Sequence, residues 1–469
     1  MPHVTRREFL GTVAAPLAAG REKPAAGRPN IVFILADDLG YGDLGCYGQQ
    51  QIRTPNLDRM AAEGTRFTDA YSGCTVCAPS RSVLMTGYHM GHTSVRSNPG
   101  GVPLLPADVT VAEVLQSAGY ATGLFGKWGL GDLGTDGVPT RQGFDEFFGY
   151  LHQVHAHFYY PEYLIHNEEK FPLPGNREGR RETYSHDVIA DRALDFIRRR
   201  RQGPFFCYVP FTIPHWELLV PEDSLAEYRG KFPETVPFID ARGHYANQEH
   251  PRAAYAAMIT RLDRDVGRIL TLLQELGIDE QTIVFFTSDN GAATPLRKDD
   301  YFRSVGPLRG HKQNLYEGGI RVPSLVRWPG KAPAGRVSDH PWYFADFLPT
   351  AAELAGARAP AGLDGFSVVP ALRGRRQRRH EFMYWELPRY DAKTGEFRRE
   401  TPMQAVRRGD WKAVRPAPDG PLELYNLRED IAETNNVAAR YPKVFARVER
   451  YLKTARTPPR HQPQPQGEW

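Results

Sequence analysis

Apolar runs alternate with amphipathic segments through most of the chain. Residues 30–36 form a continuous apolar run, which is typical of a central strand in a parallel sheet. The strands predicted from such runs are 30–36, 120–125, 205–209 and 282–287. The helices predicted from amphipathic spacing and capping residues follow Pro55 and cover 110–118, 187–201 and 253–276. This alternation predicts an α/β fold with a mixed, mostly parallel sheet flanked by helices.

The pattern changes near Leu372. Short candidate strands follow at residues 382–385, 404–407 and 411–414, and a final helix is expected around residues 441–454. We therefore predict a larger first domain over 28–372 and a smaller C-terminal α+β domain with an antiparallel sheet over 373–457. Residues 458–469 are rich in proline and glutamine, which predicts a disordered tail.

The first residues resemble an export signal rather than part of the fold. Arg6 and Arg7 are followed by Phe9-Leu10 and by small or weakly apolar residues up to Ala19. This order predicts a twin-arginine-type signal peptide over residues 1–27, and so a periplasmic or extracellular protein. The alternative is a disordered tail in which the paired arginines occur by chance.

The composition and charge of the chain argue against two classes of partner, nucleic acids and membranes. The chain has 469 residues, of which 41% are hydrophobic and 24% charged, as in an ordinary soluble protein. Basic runs at 198–201 and 373–379 carry no interleaved aromatic residues, so no nucleic-acid partner is expected. Stable membrane insertion is not expected either, because no run of about 18 apolar residues occurs.

Acidic and amide residues follow two of the predicted strands. Asp37 and Asp38 come directly after the first strand, and Asp289 and Asn290 follow the strand at 282–287. Ligands of open α/β sheets bind beyond the carboxyl ends of the strands, so these side chains could converge. An all-oxygen set suits Ca²⁺ or Mg²⁺. The alternative is that both pairs are ordinary turn and capping residues.

The most specific motif lies at residues 77–87, Cys77-Ala78-Pro79-Ser80-Arg81 followed by Leu84-Met85-Thr86-Gly87. It resembles the modification signature of the sulfatase family, Cys-x-Pro-Ser-Arg followed by Leu-x-Thr-Gly. Further segments that resemble the family in the same order are 37–40, 126–128, 214–215, 288–291, 306–310, 316–323 and 424–427. Two weaker interpretations of the motif are a redox pair of Cys74 with Cys77 and a simple helix start at Pro79.

The resemblance runs from residue 30 to about residue 436 and is closest to arylsulfatases and N-acetylgalactosamine-6-sulfate sulfatases. It implies an alkaline-phosphatase-like fold. It also implies that a sulfatase-maturing enzyme converts Cys77 to formylglycine, an aldehyde that is hydrated to a diol. One hydroxyl attacks the sulfate sulfur and displaces the alcohol, and deprotonation of the other then expels sulfate. The implied cation is Ca²⁺, with Mg²⁺ as an alternative, and its ligands are Asp37, Asp38, Asp289, Asn290 and the residue formed from Cys77.

The resemblance also assigns roles to four further residues. Arg81, one helical turn after Cys77, would hold the diol. Lys127 and Lys312 would bind sulfate, and His215 would protonate the leaving alcohol. The alternatives are a surface arginine, solvated loop lysines and a structural histidine.

One position departs from the family pattern. The family often shows Lys-Trp-His, where the histidine bonds the diol, but this chain has Lys127-Trp128-Gly129. His152, His155 and His157 follow soon after. We rank a pocket or structural role first for these histidines, a substitute base second and a zinc site third.

These observations predict a sulfatase that acts on a sulfated small molecule or glycan. Residues 158–160 and Tyr163 could stack on sugar rings, although core packing is the alternative. A phosphate or phosphonate ester hydrolase would share the layout of metal and nucleophile. A non-catalytic sulfoglycan-binding protein is the alternative outside enzymes.

Overall fold

The structure is a computed structural model that describes residues 27–98, 102–234, 236–293, 300–389 and 401–460. The predicted signal peptide, apart from Gly27, lies outside the described residues, as do residues 461–469 of the predicted tail. Within the predicted tail, Arg460 donates a hydrogen bond to Asp108 at 2.6 Å.

Most strands belong to one large sheet. The strands are β1 (Asn30–Ala36), β2 (Thr65–Phe67), β3 (Ala70–Tyr71), β4 (Ala121–Lys127), β5 (Glu146–Tyr150), β6 (Tyr163–His166), β7 (Glu169–Pro172), β8 (Phe205–Pro210), β9 (Thr282–Ser288), β10 (Ser324–Arg327), β11 (Arg336–Ser338), β12 (Trp342–Tyr343), β13 (Met383–Leu387), β14 (Met403–Arg408), β15 (Trp411–Arg415) and β16 (Glu423–Asn426). The ten-stranded sheet has the order β11-β2-β10-β9-β1-β8-β4-β5-β6-β7. Its centre, from β9 to β5, is parallel, and β10, β6 and β7 add antiparallel pairs. The predicted mixed, mostly parallel α/β sheet is confirmed.

Helices cover both faces of this sheet. They are α1 (Pro55–Glu63), α2 (Cys77–Thr86), α3 (Val111–Ser117), α4 (Ser185–Arg200), α5 (Glu222–Tyr228), α6 (Pro251–Glu275), α7 (Glu317–Ile320), α8 (Phe347–Ala355), α9 (Val369–Leu372) and α10 (Pro442–Leu452). Alternate residues of β1 point to opposite faces. Ile31 and Phe33 pack in one core with α2, α3 and α8, whereas Val32 and Ile34 pack in another with α1, α4 and α6. A strand buried on both faces must be apolar throughout, which explains its sequence.

Capping explains where one predicted helix begins. Thr110 accepts a hydrogen bond from the Glu113 backbone N–H, and the Glu113 carboxylate accepts one from the Thr110 N–H. This capping box satisfies two donors that the first helical turn leaves free. Helix α3 therefore starts where the sequence predicts.

The predicted C-terminal antiparallel sheet is present in the order β13-β14-β15-β16. The three predicted strands agree with β13, β14 and β15, and β16 has no counterpart among the predicted strands. Helix α10 follows the sheet. Within the described ranges, no helix is both long and apolar enough to cross a bilayer.

Candidate active site

Four parallel strands at the centre of the large sheet, β9, β1, β8 and β4, end beside one group of polar residues. Ala36 of β1 pairs with Ser288 of β9, so the residues that follow them, Asp37 and Asp289, lie side by side. Lys127 is the last residue of β4, and His215 lies shortly after β8. Because parallel strands carry their carboxyl ends on the same edge, the topology gathers these side chains.

Helix α2 adds the two residues at the start of the motif. Cys77 is its first residue and Arg81 lies one turn later, and the whole helix is buried. Ser80 anchors the helix, because its hydroxyl donates to the Asp289 carbonyl at 2.5 Å and accepts from the Gly73 N–H at 3.0 Å. The free N–H groups and dipole of this helix end favour negative charge beside residue 77.

The four predicted oxygen ligands form a compact acidic group. Asp38 lies at φ 67°, an uncommon backbone conformation, and its N–H donates to Asp289 Oδ1 at 3.1 Å. Asn290 Nδ2 donates to Asp38 Oδ1 at 2.6 Å, which leaves Asn290 Oδ1 buried without a hydrogen-bond partner among the described residues. A buried amide oxygen beside carboxylates fits a hard cation such as Ca²⁺ or Mg²⁺.

Residue 77 belongs to the same group of atoms. Asp37, Asp38, Cys77 and His215 each offer a ligand atom, and these atoms lie within 4.8 Å of one another. The Cys77 Sγ lies 3.5 Å from Asp37 Oδ1. The structure thus brings together the proposed nucleophile and the proposed cation ligands.

Three buried cations surround the carboxylates. Lys127 Nζ lies 2.7 Å from Asp37 Oδ2, and Lys312 Nζ lies 2.7 Å from Asp38 Oδ2 and 3.4 Å from Cys77 Sγ. Arg81 donates to Asp289 Oδ2 at 2.8 Å and to the Lys127 carbonyl at 2.5 Å. All three are buried, so the alternatives of a surface arginine and solvated loop lysines are wrong.

His215 lies over the same group. Its Nε2 is 3.2 Å from Lys312 Nζ and 3.3 Å from Asp38 Oδ2, and its buried Nδ1 makes no hydrogen bond within the part of the chain that the structure describes. Burial lowers the pKa of His215 well below its usual value, and the charge of Lys312 lowers it further. The ring is therefore neutral in this arrangement.

Burial and charge pull the pKa values of the carboxyl groups apart. Burial opposes ionisation of Asp37, but Lys127 and the other nearby cations outweigh it and lower the pKa of Asp37. For Asp289, burial and the neighbouring Asp37 outweigh Arg81 and raise the pKa to about 6. Adjacent carboxylates in a buried site repel each other, and a bound cation would relieve this repulsion.

The unmodified Cys77 is a poor nucleophile. Burial and the charge of Asp37 raise the pKa of its thiol far above the usual value, so the reactive thiolate is scarce near neutral pH. All four cysteines are free, and the Cys74 thiol faces the Glu386 carbonyl at 3.6 Å. The redox-pair interpretation of Cys74 and Cys77 therefore has no support.

The histidines at 152, 155 and 157 do not converge. His157 stacks on His215 with ring centroids 4.4 Å apart, and its Nδ1 lies 2.9 Å from His244 Nε2. His155 packs between Tyr150 and Tyr163, and His152 Nδ1 accepts a backbone hydrogen bond. No group of potential metal ligands found among the described residues contains this trio, so the zinc interpretation gains no support.

Some residues of the site have no signal in the sequence. His244 and Tyr245 contact His157 from a distant loop that carries no motif. Gln153 likewise carries no motif, and it is buried beside Gly129 in the segment that leads to His157. Conversely, Tyr159 is a core residue whose hydroxyl donates to the Thr212 carbonyl at 2.7 Å, so it does not stack on a ligand.

Comparison with protein families gives two matches. Residues 29–357 match the family described as Sulfatase, and residues 310–457 match the family described as N-sulphoglucosamine sulphohydrolase, C-terminal. Together these matches cover nearly all of the described residues.

Individual curated relatives and a solved structure are similar to this chain over most of its length. Human (Homo sapiens) arylsulfatase A is 38% identical over 442 residues, which cover 87% of this chain and 77% of the relative. N-acetylgalactosamine-6-sulfatase of Canis lupus familiaris is 35% identical and covers 76% of this chain and 67% of the relative. The crystal structure of Ps i-CgsB in complex with k-i-k-neocarrahexaose is 28% identical with a TM-score of 0.76, and covers 93% of this chain and 95% of that chain.

Proposed function

Because this chain belongs to the sulfatase family and is a sulfuric ester hydrolase, we propose that its substrate is a sulfated carbohydrate. We infer that the reaction uses formylglycine formed from Cys77 and a bound divalent cation, Ca²⁺ or else Mg²⁺. The observation that carries this proposal is the position of Cys77, at the start of a buried helix between Asp37 and Lys312.

The names of two similar proteins support the proposal that the substrate is a carbohydrate. One curated relative is an N-acetylgalactosamine-6-sulfatase, and one similar structure holds k-i-k-neocarrahexaose. Arylsulfatase A is similar over more of this chain, and its name specifies a sulfatase without specifying a sugar.

The residues present fit a divalent cation. Asp37, Asp38, Asp289 and Asn290 would hold it together with residue 77, and the unpaired Asn290 Oδ1 offers a free ligand atom. When bound, the cation would lower the pKa of a coordinated hydroxyl and balance charge on the transferred sulfate. Formylglycine in its hydrated form would supply that hydroxyl.

The side chains around residue 77 would bind and orient the ester. Lys127 and Lys312 place two ammonium groups beside the carboxylates, where they would attract the anionic sulfate. Arg81 would keep Asp289 and the end of β4 in position. His215 is neutral without substrate, and a bound sulfate ester would favour its protonation, so that it could protonate the leaving alcohol.

A phosphate or phosphonate ester hydrolase is not favoured, because the curated relatives are sulfatases and the motif at 77–87 is intact. Export is a separate proposal that rests on residues 5–19 alone. Replacing Arg6 and Arg7 by lysine should keep the protein in the cytoplasm, and an unchanged distribution on cell fractionation would refute export by this route.

Peptide mass spectrometry across residues 71–81, on protein produced together with a sulfatase-maturing enzyme, tests the nucleophile. We expect the aldehyde in place of the Cys77 thiol, hydrolysis of an aryl sulfate, loss of activity with a chelator and recovery with Ca²⁺. A Cys77→Ala variant is the matched control. If the thiol persists despite active maturation, the catalytic proposal is wrong and a sulfoglycan-binding protein becomes the better hypothesis.

A further inference from the structure

Gln153 is a buried side chain with uncommitted polar atoms. It is 3% exposed, and neither Nε2 nor Oε1 has a hydrogen-bond partner among the described residues. An amide buried without partners destabilises the fold, and native proteins rarely tolerate both atoms unpaired. Because Gln153 lowers the stability of the fold, its presence calls for a functional explanation.

The amide end of Gln153 occupies the space that a side chain at residue 129 would need. A Cβ added to Gly129 would lie 2.5 Å from Gln153 Nε2, 2.9 Å from Cδ and 3.5 Å from Cγ. The tip of the side chain, rather than its stem, therefore lies closest. Gly129 also has φ +78°, which disfavours residues with a Cβ.

This space lies close to the candidate active site along the chain. Gly129 comes two residues after Lys127, whose Nζ binds Asp37 at 2.7 Å, and the Gly129 N–H donates to the Leu151 carbonyl at 2.9 Å. The segment 151–157 then continues to His157, whose ring stacks on His215. Gln153 lies between these two points of contact in the sequence.

We propose that Gln153 is a substrate-contacting residue whose Nε2 donates a hydrogen bond to an oxygen of the sulfate ester. The inference rests on the proposed function. The oxygens of a sulfate ester accept hydrogen bonds and donate none, so they match an unpaired N–H group beside Gly129, two residues after Lys127. Without substrate, the unpaired amide lowers the stability of the folded protein. This is expected of a binding group that is held in place before the substrate arrives.

The chemistry of the amide limits its role. A carboxamide does not titrate in the physiological range, so Gln153 can hold an oxygen but cannot remove a proton. The side chain that fills the space beside Gly129 is therefore a binding group in this chain. A base for the second step would have to come from another position.

Two substitutions of similar volume test this role. Gln153→Met removes the unpaired amide, so we expect an unchanged or higher Tm together with a loss in kcat/KM for an aryl sulfate of about tenfold to a hundredfold. Gln153→Glu keeps the shape but puts a carboxylate beside an anionic substrate, so we expect a larger loss. Binding of inorganic sulfate, measured as an increase in Tm, should weaken in the same order.

His155→Gln is the matched control, because His155 lies in the same segment but packs against Tyr150 and Tyr163. We expect its kcat/KM and sulfate binding to stay within about twofold of wild type. If the Gln153 variants behave like this control while the wild type is active, the inference is wrong and the proposed function stands. If the matured wild type binds sulfate normally but cleaves no sulfate ester, the proposed function fails, while the sulfate-binding series still decides the role of Gln153.

Discussion

Two clusters of charged side chains in this molecule contain equal numbers of acidic and basic groups but differ in their surroundings. The catalytic cluster comprises Asp37, Asp38, Asp289, Arg81, Lys127 and Lys312. The interface cluster comprises Asp69, Glu317, Glu433, Arg321, Arg407 and Lys412. Each therefore contains three carboxylates and three cations, and net charge does not distinguish them.

The interface cluster joins the C-terminal sheet to helix α7 and to the segment that follows β2. Lys412 of β15 lies 2.8 Å from Glu317 Oε1 and 3.0 Å from Glu433 Oε1, and Arg407 of β14 lies 2.6 Å from Asp69 Oδ2. Lys412 Nζ and the two glutamate Oε1 atoms make no hydrogen bond of good geometry with any described residue, but they face one another as ion pairs. Each charge here is matched by a protein group.

The catalytic cluster differs from the interface cluster in the neutral polar side chains that surround it. Asn290 Oδ1 and His215 Nδ1 are buried, and no partner for them is found in the described part of the chain. Ion pairing cannot compensate these atoms, because they belong to neutral side chains. Between these two clusters, the difference is that neutral polar atoms without partners lie beside the catalytic carboxylates, where a bound ligand would pair with them.

The largest effect on activity should come from the catalytic cluster. Lys127→Met removes the ammonium group that binds Asp37, so we expect kcat/KM for an aryl sulfate to fall by about a hundredfold to a thousandfold. Steady-state kinetics on protein of confirmed aldehyde content measures this loss. Activity near that of wild type would show that Lys127 is structural, like its counterparts in the interface cluster.

The interface cluster should respond in stability instead. Lys412→Met leaves Glu317 and Glu433 buried side by side, so we expect a loss of about 3–5 kcal/mol in the free energy of unfolding. The value of kcat, measured well below the reduced Tm, should stay near that of wild type. A large drop in kcat without a drop in Tm would contradict the distinction between the two clusters.

The smallest predicted effect is on the pH dependence of folding stability. Burial raises the pKa of Glu433 to about 7 from its usual 4.5, with Glu317 adding to the shift and Lys412 opposing it. Since the folded state holds this proton more tightly, its contribution to stability is complete below pH 4.5 and is lost as the pH rises through 7.

We therefore expect Glu433→Gln to reduce the dependence of unfolding free energy on pH between 5 and 7, by up to about 1.4 kcal/mol per pH unit. Denaturant unfolding at several pH values measures the slope. Glu217, with a pKa raised by burial to about 7, titrates in the same direction and should remain unaffected by the substitution. Equal slopes for variant and wild type would mean that Glu433 is ionised throughout this range.

The sequence by itself determined the class of fold and most of the candidate site. Continuous apolar runs are required wherever a strand is buried on both faces, so β1, β8 and β9 could be read directly. The Cys77 motif, the helical spacing to Arg81 and the polar residues after β1 and β9 are local features. Such features can be recognised in the sequence because residues that are neighbours in the chain produce them.

Only the tertiary structure decided which distant groups meet. The register of Ala36 with Ser288 brings together carboxylates about 250 residues apart, and packing separates His157 from His155 although they are two residues apart in the chain. The sequence showed that Gly129 lacks a side chain, but not that Gln153 fills the space. The physical reason is that contacts between loops depend on how strands and helices pack, and such contacts leave no periodic signal in the sequence.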